Sequence, residues 1–410
     1  MAVEISGERV LRDLNSLRTI GAFRTGVHRP TLSAEDMVTR HWLANELSAI
    51  GHTVEIDGIA NVVGLTPASG PKLLAGSHLE SQNEAGWLDG ALGVVYALEA
   101  ARVIASTPGY QDVGVDVIAF ADEEGHFGSF FGSYSFVGEL TEAMIDNARD
   151  RTRGTPLREA LRNAGLEGRD RALIRKDRYI GFLEAHIEQG DRLENRALSI
   201  GIVTSIVSIA QFRIVFEGSQ NHAGTTRMAI RRDAGVAAVD FLHDLGRAFQ
   251  RHAGPHTVWT TGRITLDPGA PSIIPGRAEV LFQFRDDNPA KLAELESVLT
   301  EVVMRADKDG PCTARLETIA KSIPAIMDKR IQAALETSAD RHAPGKFTRM
   351  PSAAGHDAQI MARHLPAGMM FVPSIGGISH HWTENTSDDD IVLGAQVFAD
   401  AAAELLKPGV

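Results

Sequence analysis

The chain has 410 residues, 43% apolar and 23% charged, the balance of an ordinary globular protein with ample material for a core. Acidic residues outnumber basic ones 53 to 41 for a formal charge of −12, and no Lys/Arg block stands out, so no nucleic-acid partner is expected. The single cysteine, Cys312, excludes an internal disulfide and a cysteine-held metal.

No stretch reaches the ~18 apolar residues of a membrane span. The N-terminal MAVEISGERVLRDL lacks a basic segment followed by an apolar one, so no leader and no membrane role are expected, and a cytoplasmic location fits. At roughly 100–200 residues per domain, two domains are expected.

From Ser33, the run SAEDMVTRHWLANELSAIG predicts a capped helix. Ser33 with Asp36 makes an approximate capping box. Val38, Trp42, Leu43, Leu47 and Ile50 mark the inner face, and Gly51 ends the helix. Short strands follow at TVEI and NVVGL. KLLAG is an apolar run ending at Ser77-His78, and DVIAFAD is another ending at Glu123-Glu124. GALGVVYALEAARVI between them has helical spacing. Strands alternating with helices predict an α/β sheet with parallel pairs, whose site lies beyond the carboxyl ends of the strands.

From about residue 205 the pattern changes. QFRIVFEG reads as a strand and RRDAGVAAVDFLHDLGRAF as a helix. HTVWTTGRI and RAEVLFQFR read as strands, NPAKLAELESVLTEVVMRA as a helix and CTARLETI as a strand. That β-α-β-β-α-β order is the split arrangement of a ferredoxin-like unit. After about residue 325 the α/β pattern resumes, with GMMFVPS as a strand and DDDIVLGAQVFADAAAELL as the closing helix. The expected division is a catalytic domain of residues 1–205 plus 325–410 and an inserted domain of residues 206–324.

Five residues sit in polar, Gly-rich runs: His78 and Asp89 in GSHLESQNEAGWLDG, Glu124 in ADEEGHFGS, His186 in EAHIEQG and His380 in GGISHH. Imidazole and carboxylate suit zinc, manganese, cobalt or nickel. A carboxylate that bridges two ions lets five side chains supply three ligands to each of two metals. In a loop after a strand, Glu124 can hold metal while Glu123 reaches a water.

With these runs assembled, the chain resembles the M20 metallopeptidase clan, and within it the hydantoinase/carbamoylase amidase family. The resemblance runs from about residue 10 to the C-terminus. Its motifs are GSHLES with WLDGALGV, DEEG, HIEQG, NHAGTT, IIPG, AAGHDA and FVPSIGGISHHWTEN. It implies a mixed-sheet, aminopeptidase-like α/β catalytic domain with an inserted ferredoxin-like α+β lid and dimerisation domain. It also implies two divalent metal ions per subunit (Zn, Mn, Co or Ni), with His78 and His186 on one, Glu124 and His380 on the other, and Asp89 bridging. Glu123 matches the general base. His222 matches the lid histidine and Arg285 a carboxylate-binding arginine. Gln189, Ser272 and His356 match positions near the substrate, and Glu384 a support for His380.

The implied activity is hydrolysis of the ureido or amide C–N bond of an N-carbamoyl amino acid or similar small carboxylated substrate, by a homodimer. The alternatives are allantoate-type cleavage, N-acyl amino acid or dipeptide hydrolysis on the same site, and a non-catalytic binding protein. A serine hydrolase is discarded for want of a G-x-S-x-G elbow.

Four residues depart from the family pattern. Glu80 stands where an aspartate usually orients the first ligand's imidazole, so a changed rather than a lost site is expected. Ser272, Arg227 and Gln283 replace an asparagine, a proline and an aspartate around the substrate positions.

Overall fold

The computed structural model describes residues 3–322 and 324–407. The strands of its two larger sheets, in chain order, are β1 (Thr53–Ile56), β2 (Val62–Leu65), β3 (Lys72–His78), β4 (Gly114–Phe120), β5 (Tyr179–Ile187), β6 (Ile200–Ile206) and β7 (Ser208–Glu217). They continue with β8 (Val258–Asp267), β9 (Arg277–Asp286), β10 (Thr313–Lys321), β11 (Ala325–Ile326), β12 (Phe347–Ser352) and β13 (Ala367–Val372). The principal helices are α1 (Gly7–Thr19), α2 (Ala34–Ala49), α3 (Ala91–Ser106), α4 (Ala234–His252), α5 (Pro289–Asp309), α6 (Lys329–His342) and α7 (Asp388–Leu406). The chain divides into two compact units. One runs to Ser205 and resumes at Ala325; the other is Ile206–Pro324.

The first unit is built on a mixed sheet in the order β11-β6-β13-β5-β3-β4-β2-β1, with β12 paired to β6. Strands β13, β5, β3 and β4 are mutually parallel. The flanking pairs β4–β2, β2–β1 and β13–β6 are antiparallel. Every residue of β3, β4 and β13 is buried, as expected of parallel strands covered on both faces. Helix α3 is buried from Ala91 to Ala101 without a break, so it is a central helix rather than a surface one. The Tyr96 hydroxyl donates to the Ile391 carbonyl at 2.5 Å and ties α3 to α7.

Helix α2 corrects one expectation. Ser33 Oγ accepts the Asp36 N–H at 3.1 Å, as a capping serine should. The Asp36 carboxylate does not close the box on Ser33; it accepts the Leu32 N–H at 2.8 Å and faces Arg40 Nε at 3.0 Å. Val38 is 52% exposed, and the buried face is Asp36, Thr39, Arg40, Leu43 and Leu47. Apolar spacing misjudged the rotation because this helix turns an ion pair inward.

Strand β5, which carries His186, was not legible as a strand. Glu184 and His186 interrupt its apolar run, and both are buried all the same.

The second unit has a four-stranded sheet in the order β8-β9-β7-β10, antiparallel throughout. Its chain order β7-α4-β8-β9-α5-β10 is the split β-α-β arrangement. Burial alternates along β9. Ala278, Val280, Phe282 and Phe284 face the core, and Arg277, Glu279, Leu281, Gln283 and Arg285 lie on the other face. Phe249 of α4 anchors this core, with ring centroids 5.2 Å from Phe282, 5.4 Å from Phe284 and 5.7 Å from Trp259, all edge-to-face. Phe249→Ala is expected to cost about 3–5 kcal/mol. Urea denaturation followed by tryptophan fluorescence checks this through a lowered midpoint, since Trp259 abuts the lost ring.

Candidate metal centre

Each candidate ligand lies where a parallel strand ends or in the loop that follows. His78 is the last residue of β3, His186 is the penultimate residue of β5, and Glu123 and Glu124 follow β4. Asp89 precedes α3, and His380 lies between β13 and α7. This is the usual position for a site in a parallel sheet. Gly90, at φ +69°, makes the close approach of Asp89 possible, since a Cβ there would lie 2.3 Å from the His78 ring.

The side chains form two groups that share one residue. His78, Asp89 and His186 make the first and Asp89, Glu124 and His380 the second; within each group the ligand atoms lie within 4.8 Å of one another. Asp89 Oδ1 is 3.5 Å from His78 Nε2 and 3.0 Å from His186 Nε2. Asp89 Oδ2 is 3.4 Å from His380 Nε2, which is itself 3.7 Å from Glu124 Oε2. One carboxylate oxygen therefore serves each group. Glu123 is not in either group, but its Oε2 is 3.6 Å from His78 Nε2.

The donor set fits divalent cations. His78 Nδ1 is 3.1 Å from the Glu80 carbonyl, and His186 Nδ1 is 2.9 Å from the Ile187 carbonyl. A carbonyl only accepts, so each Nδ1 carries hydrogen and each Nε2 is turned toward Asp89, as metal-binding histidines require. His78 Nε2 is buried and has no hydrogen-bond partner.

Charge leads to the same conclusion. Burial alone would lower His78, but Glu123, Asp89 and Glu80 outweigh it and hold its proton well above the ordinary range. His380 is raised to about 9, chiefly by its hydrogen bond to Asp89. Burial works to raise Asp89, yet His186, His380 and His78 hold it well below the usual carboxylate range. Glu123 and Glu124 are both raised, first by burial and then by neighbouring carboxylates. A pocket that draws protons onto its histidines this way is built for positive charge.

Neighbouring side chains hold the groups in place. The Glu384 carboxylate fills the space beside Gly86, where a Cβ would come within 1.9 Å of it. It accepts the backbone N–H groups of Leu88 and Asp89 at 3.2 and 3.1 Å, and the Ser379 hydroxyl at 3.1 Å. Glu384 thus steadies Asp89 and the residue before His380, rather than His380 itself. Gln82 donates from Nε2 to Glu124 Oε2 at 2.6 Å, while its backbone N–H reaches Oε1 at 3.2 Å. On β5, Glu184 accepts the Ser77 hydroxyl at 2.7 Å and the Ala358 N–H at 2.8 Å. Sequence reading missed Gln82, Ser379 and Glu184. Each lies inside a run that carries a ligand, but nothing in its type or spacing announced a role.

The remaining candidate residues of this unit lie close by. Gln189, at φ +58°, donates from Nε2 to Asp89 Oδ2 at 2.9 Å and to Ser379 Oγ at 3.2 Å. His356 is 1% exposed, with its ring centroid 4.6 Å from that of His186 and its Nε2 2.9 Å from Ser352 Oγ. Burial, then His186, pushes the His356 pKa well below its ordinary value, so the ring is neutral. The side chain of Glu80 does not orient the His78 imidazole as expected: Oε1 stands 4.0 Å from Nδ1, and the backbone carbonyl takes that proton instead.

In the second unit, His222 is exposed on a short strand paired antiparallel to Ile273–Ile274. The Ala223 N–H donates to the Ser272 carbonyl at 2.9 Å, so Ser272 adjoins the His222 turn. His222 Nδ1 accepts the N–H groups of Gly224 and Thr225 at 3.0 and 3.2 Å. Nδ1 is thus the ring's acceptor, which leaves Nε2 as its donor. Arg285 and Gln283 lie two apart on the face of β9 away from the core.

Comparison with known proteins places these features in context. The pattern of peptidase family M20/M25/M40 matches residues 70–404. A crystal structure of an amidase of the hydantoinase/carbamoylase family from Burkholderia phymatum superposes with a TM-score of 0.90 at 44% identity, covering 99% of each chain. The N-carbamoyl-L-amino-acid amidohydrolase of Paenarthrobacter aurescens is 32% identical over 95% of this chain and 96% of that protein. The allantoate amidohydrolase of Bacillus subtilis is 31% identical over 93% of both.

The raised histidines generate a prediction. In the metal-free protein at neutral pH, His78 and His380 hold protons, and a cation needs the lone pairs those protons occupy. Metal binding is therefore expected to release protons, and affinity to rise with pH until His380 has titrated near 9. Calorimetric titration in buffers of differing ionisation enthalpy checks this. A heat independent of buffer would refute it.

Proposed function

Because this chain belongs to peptidase family M20/M25/M40, we propose that it is a metal-dependent amidohydrolase cleaving the ureido or amide C–N bond of an N-carbamoyl amino acid or a similar small carboxylated substrate. The carrying observation is that the two oxygens of Asp89 face two separate ligand groups with Glu123 alongside. The relatives named for N-carbamoyl-amino-acid and allantoate hydrolysis support a ureido substrate. Allantoate-type cleavage is the alternative on the same site, and N-acyl amino acid or dipeptide hydrolysis is a more distant one.

His78, His186 and Asp89 would hold one divalent ion, and Asp89, Glu124 and His380 a second. Zinc, manganese, cobalt and nickel all suit these donors. Such ions, when bound, polarise the scissile carbonyl and acidify a neighbouring water.

The chain's own residues do the rest. Glu123 takes the proton of the attacking water and delivers it to the leaving nitrogen. Its burial among like charges gives it the raised affinity for protons that a shuttle needs. His222 donates Nε2–H to the developing oxyanion. Arg285 holds the substrate carboxylate with its planar fork. Gln189, Ser272 and His356 border the substrate, His356 by backing the His186 ring. A carbamoyl substrate then yields the amino acid, carbon dioxide and ammonia.

We assign the second unit the role of lid and dimerisation element, with the lid of one copy serving the site of the other. Its edge strand β8 supports this, since Val258, Ile264 and Leu266 are 52%, 48% and 39% exposed on an unpaired edge. Among the described residues no helix is long and apolar enough to cross a membrane. A cytoplasmic location suits a chain whose one cysteine is free and buried.

Two variants test the roles. Glu123→Gln is expected to keep its metal by elemental analysis and to lose turnover by about 10²–10⁴-fold on a panel of N-carbamoyl, N-acetyl and allantoate substrates with ammonia detection. Near-parental turnover removes Glu123 as the base. Arg285→Ala is expected to raise KM by about tenfold or more, the worth of a charge-assisted hydrogen bond, with little change in kcat. An unchanged KM for carboxylated substrates removes that assignment.

A further inference from the structure

Glu80 is fully buried beside the site, yet it belongs to neither ligand group. Arg40 of α2 holds it, with NH2 2.7 Å from Glu80 Oε2 and Nε 3.0 Å from Asp36 Oδ2; all three side chains are 0% exposed. The remaining nitrogen, NH1, donates to the carbonyls of Ala60 at 2.7 Å and Phe120 at 3.2 Å. Phe120 is the last residue of β4, so Arg40 grips the end of the strand from which the Glu123 loop leaves.

The other Glu80 oxygen completes the connection. Oε1 accepts the backbone N–H of Glu123 at 2.7 Å. A charged acceptor at that distance makes a strong bond, and the arginine fork keeps the carboxylate from turning away. The rest of the loop is tied elsewhere, with the Asp122 carboxylate accepting the N–H groups of His126 at 2.8 Å and Gly128 at 2.7 Å and Gln82 holding Glu124, while Glu80 supplies the acceptor for the Glu123 amide itself. An aspartate on the same backbone would draw the carboxylate back by about one bond length, whereas Glu80 reaches both Arg40 and the Glu123 amide at 2.7 Å. The longer residue spans the two.

We propose that Glu80, locked by Arg40, is a positioning residue that fixes the Glu123 backbone and thereby aims the Glu123 carboxylate at the His78 side of the pocket. This rests on the reading of Glu123 as the proton acceptor. It gives Glu80 a different task from imidazole orientation, which its backbone carbonyl already performs.

The test compares Glu80→Gln and Arg40→Lys with the parent in the metal-loaded full chain. Three readouts are taken: metal content, kcat and KM on the N-carbamoyl panel, and hydrogen–deuterium exchange of the segment spanning Glu123. Glu80→Gln is expected to keep its metal, hold KM within about threefold and lose about 10–100-fold in kcat, with faster exchange at the Glu123 amide. Arg40→Lys keeps the charge without the fork and is expected to shift kcat and exchange in the same direction by less. It carries the test should Glu80→Gln not fold. Parental kcat together with parental exchange at Glu123 overturns the proposal. A parent without activity on any panel substrate counts instead against the amidohydrolase reading, and the exchange comparison still decides whether Glu80 holds the Glu123 backbone.

Discussion

The first unit is organised around a single carboxylate that must face two ways. Asp89 is 3% exposed, and its two oxygens address His78 and His186 on one side and His380 on the other. A lone buried carboxylate would gather a proton and become inert. Three histidines keep Asp89 ionised, and Asp89 in turn keeps His380 cationic, as Glu123 and Asp89 together do His78. The balance is collective, so no member of the set can be understood alone.

That balance is costly to bury, and the surrounding structure shows how the cost is met. Removing one partner from a buried ion pair typically costs ~3–5 kcal/mol, so each charge here needs a fixed counterpart. Glu384 steadies Asp89 through two backbone N–H groups, Gln82 caps both oxygens of Glu124, and Arg40 answers Asp36 and Glu80 together. These contacts come from α2, from loops beyond β3 and β4, and from the loop before α7. The parallel strands supply the common edge at which such distant segments can meet.

The second unit follows a different logic. Its stability rests on an apolar seam of phenylalanines between sheet and helices, and its chemistry-bearing residues lie away from that seam. His222 is held by its own turn, whose N–H groups choose its tautomer. Arg285 lies on the face of β9 away from that seam, as the alternation along the strand dictates. Both were named from the sequence through the family resemblance, and not through periodicity or spacing.

Much was legible without coordinates because it is periodic or local. The β-α-β-β-α-β order of the second unit, the strands leading to His78 and to Glu123, and the cap at Ser33 all follow from patterns a few residues long. Residue type made positions 78, 89, 124, 186 and 380 possible donors, and the resemblance of their motifs to the M20 family joined them into one ligand set. Tertiary structure alone decided which oxygen of Asp89 faces which histidine, that α2 turns Arg40 inward and Val38 outward, and that Glu80 reaches Glu123 rather than His78. Buried polar partners obey no spacing rule. Residues 40, 80 and 123 meet only because three separate elements pack together, and nothing along the chain records the direction of a side chain whose partner lies forty residues away.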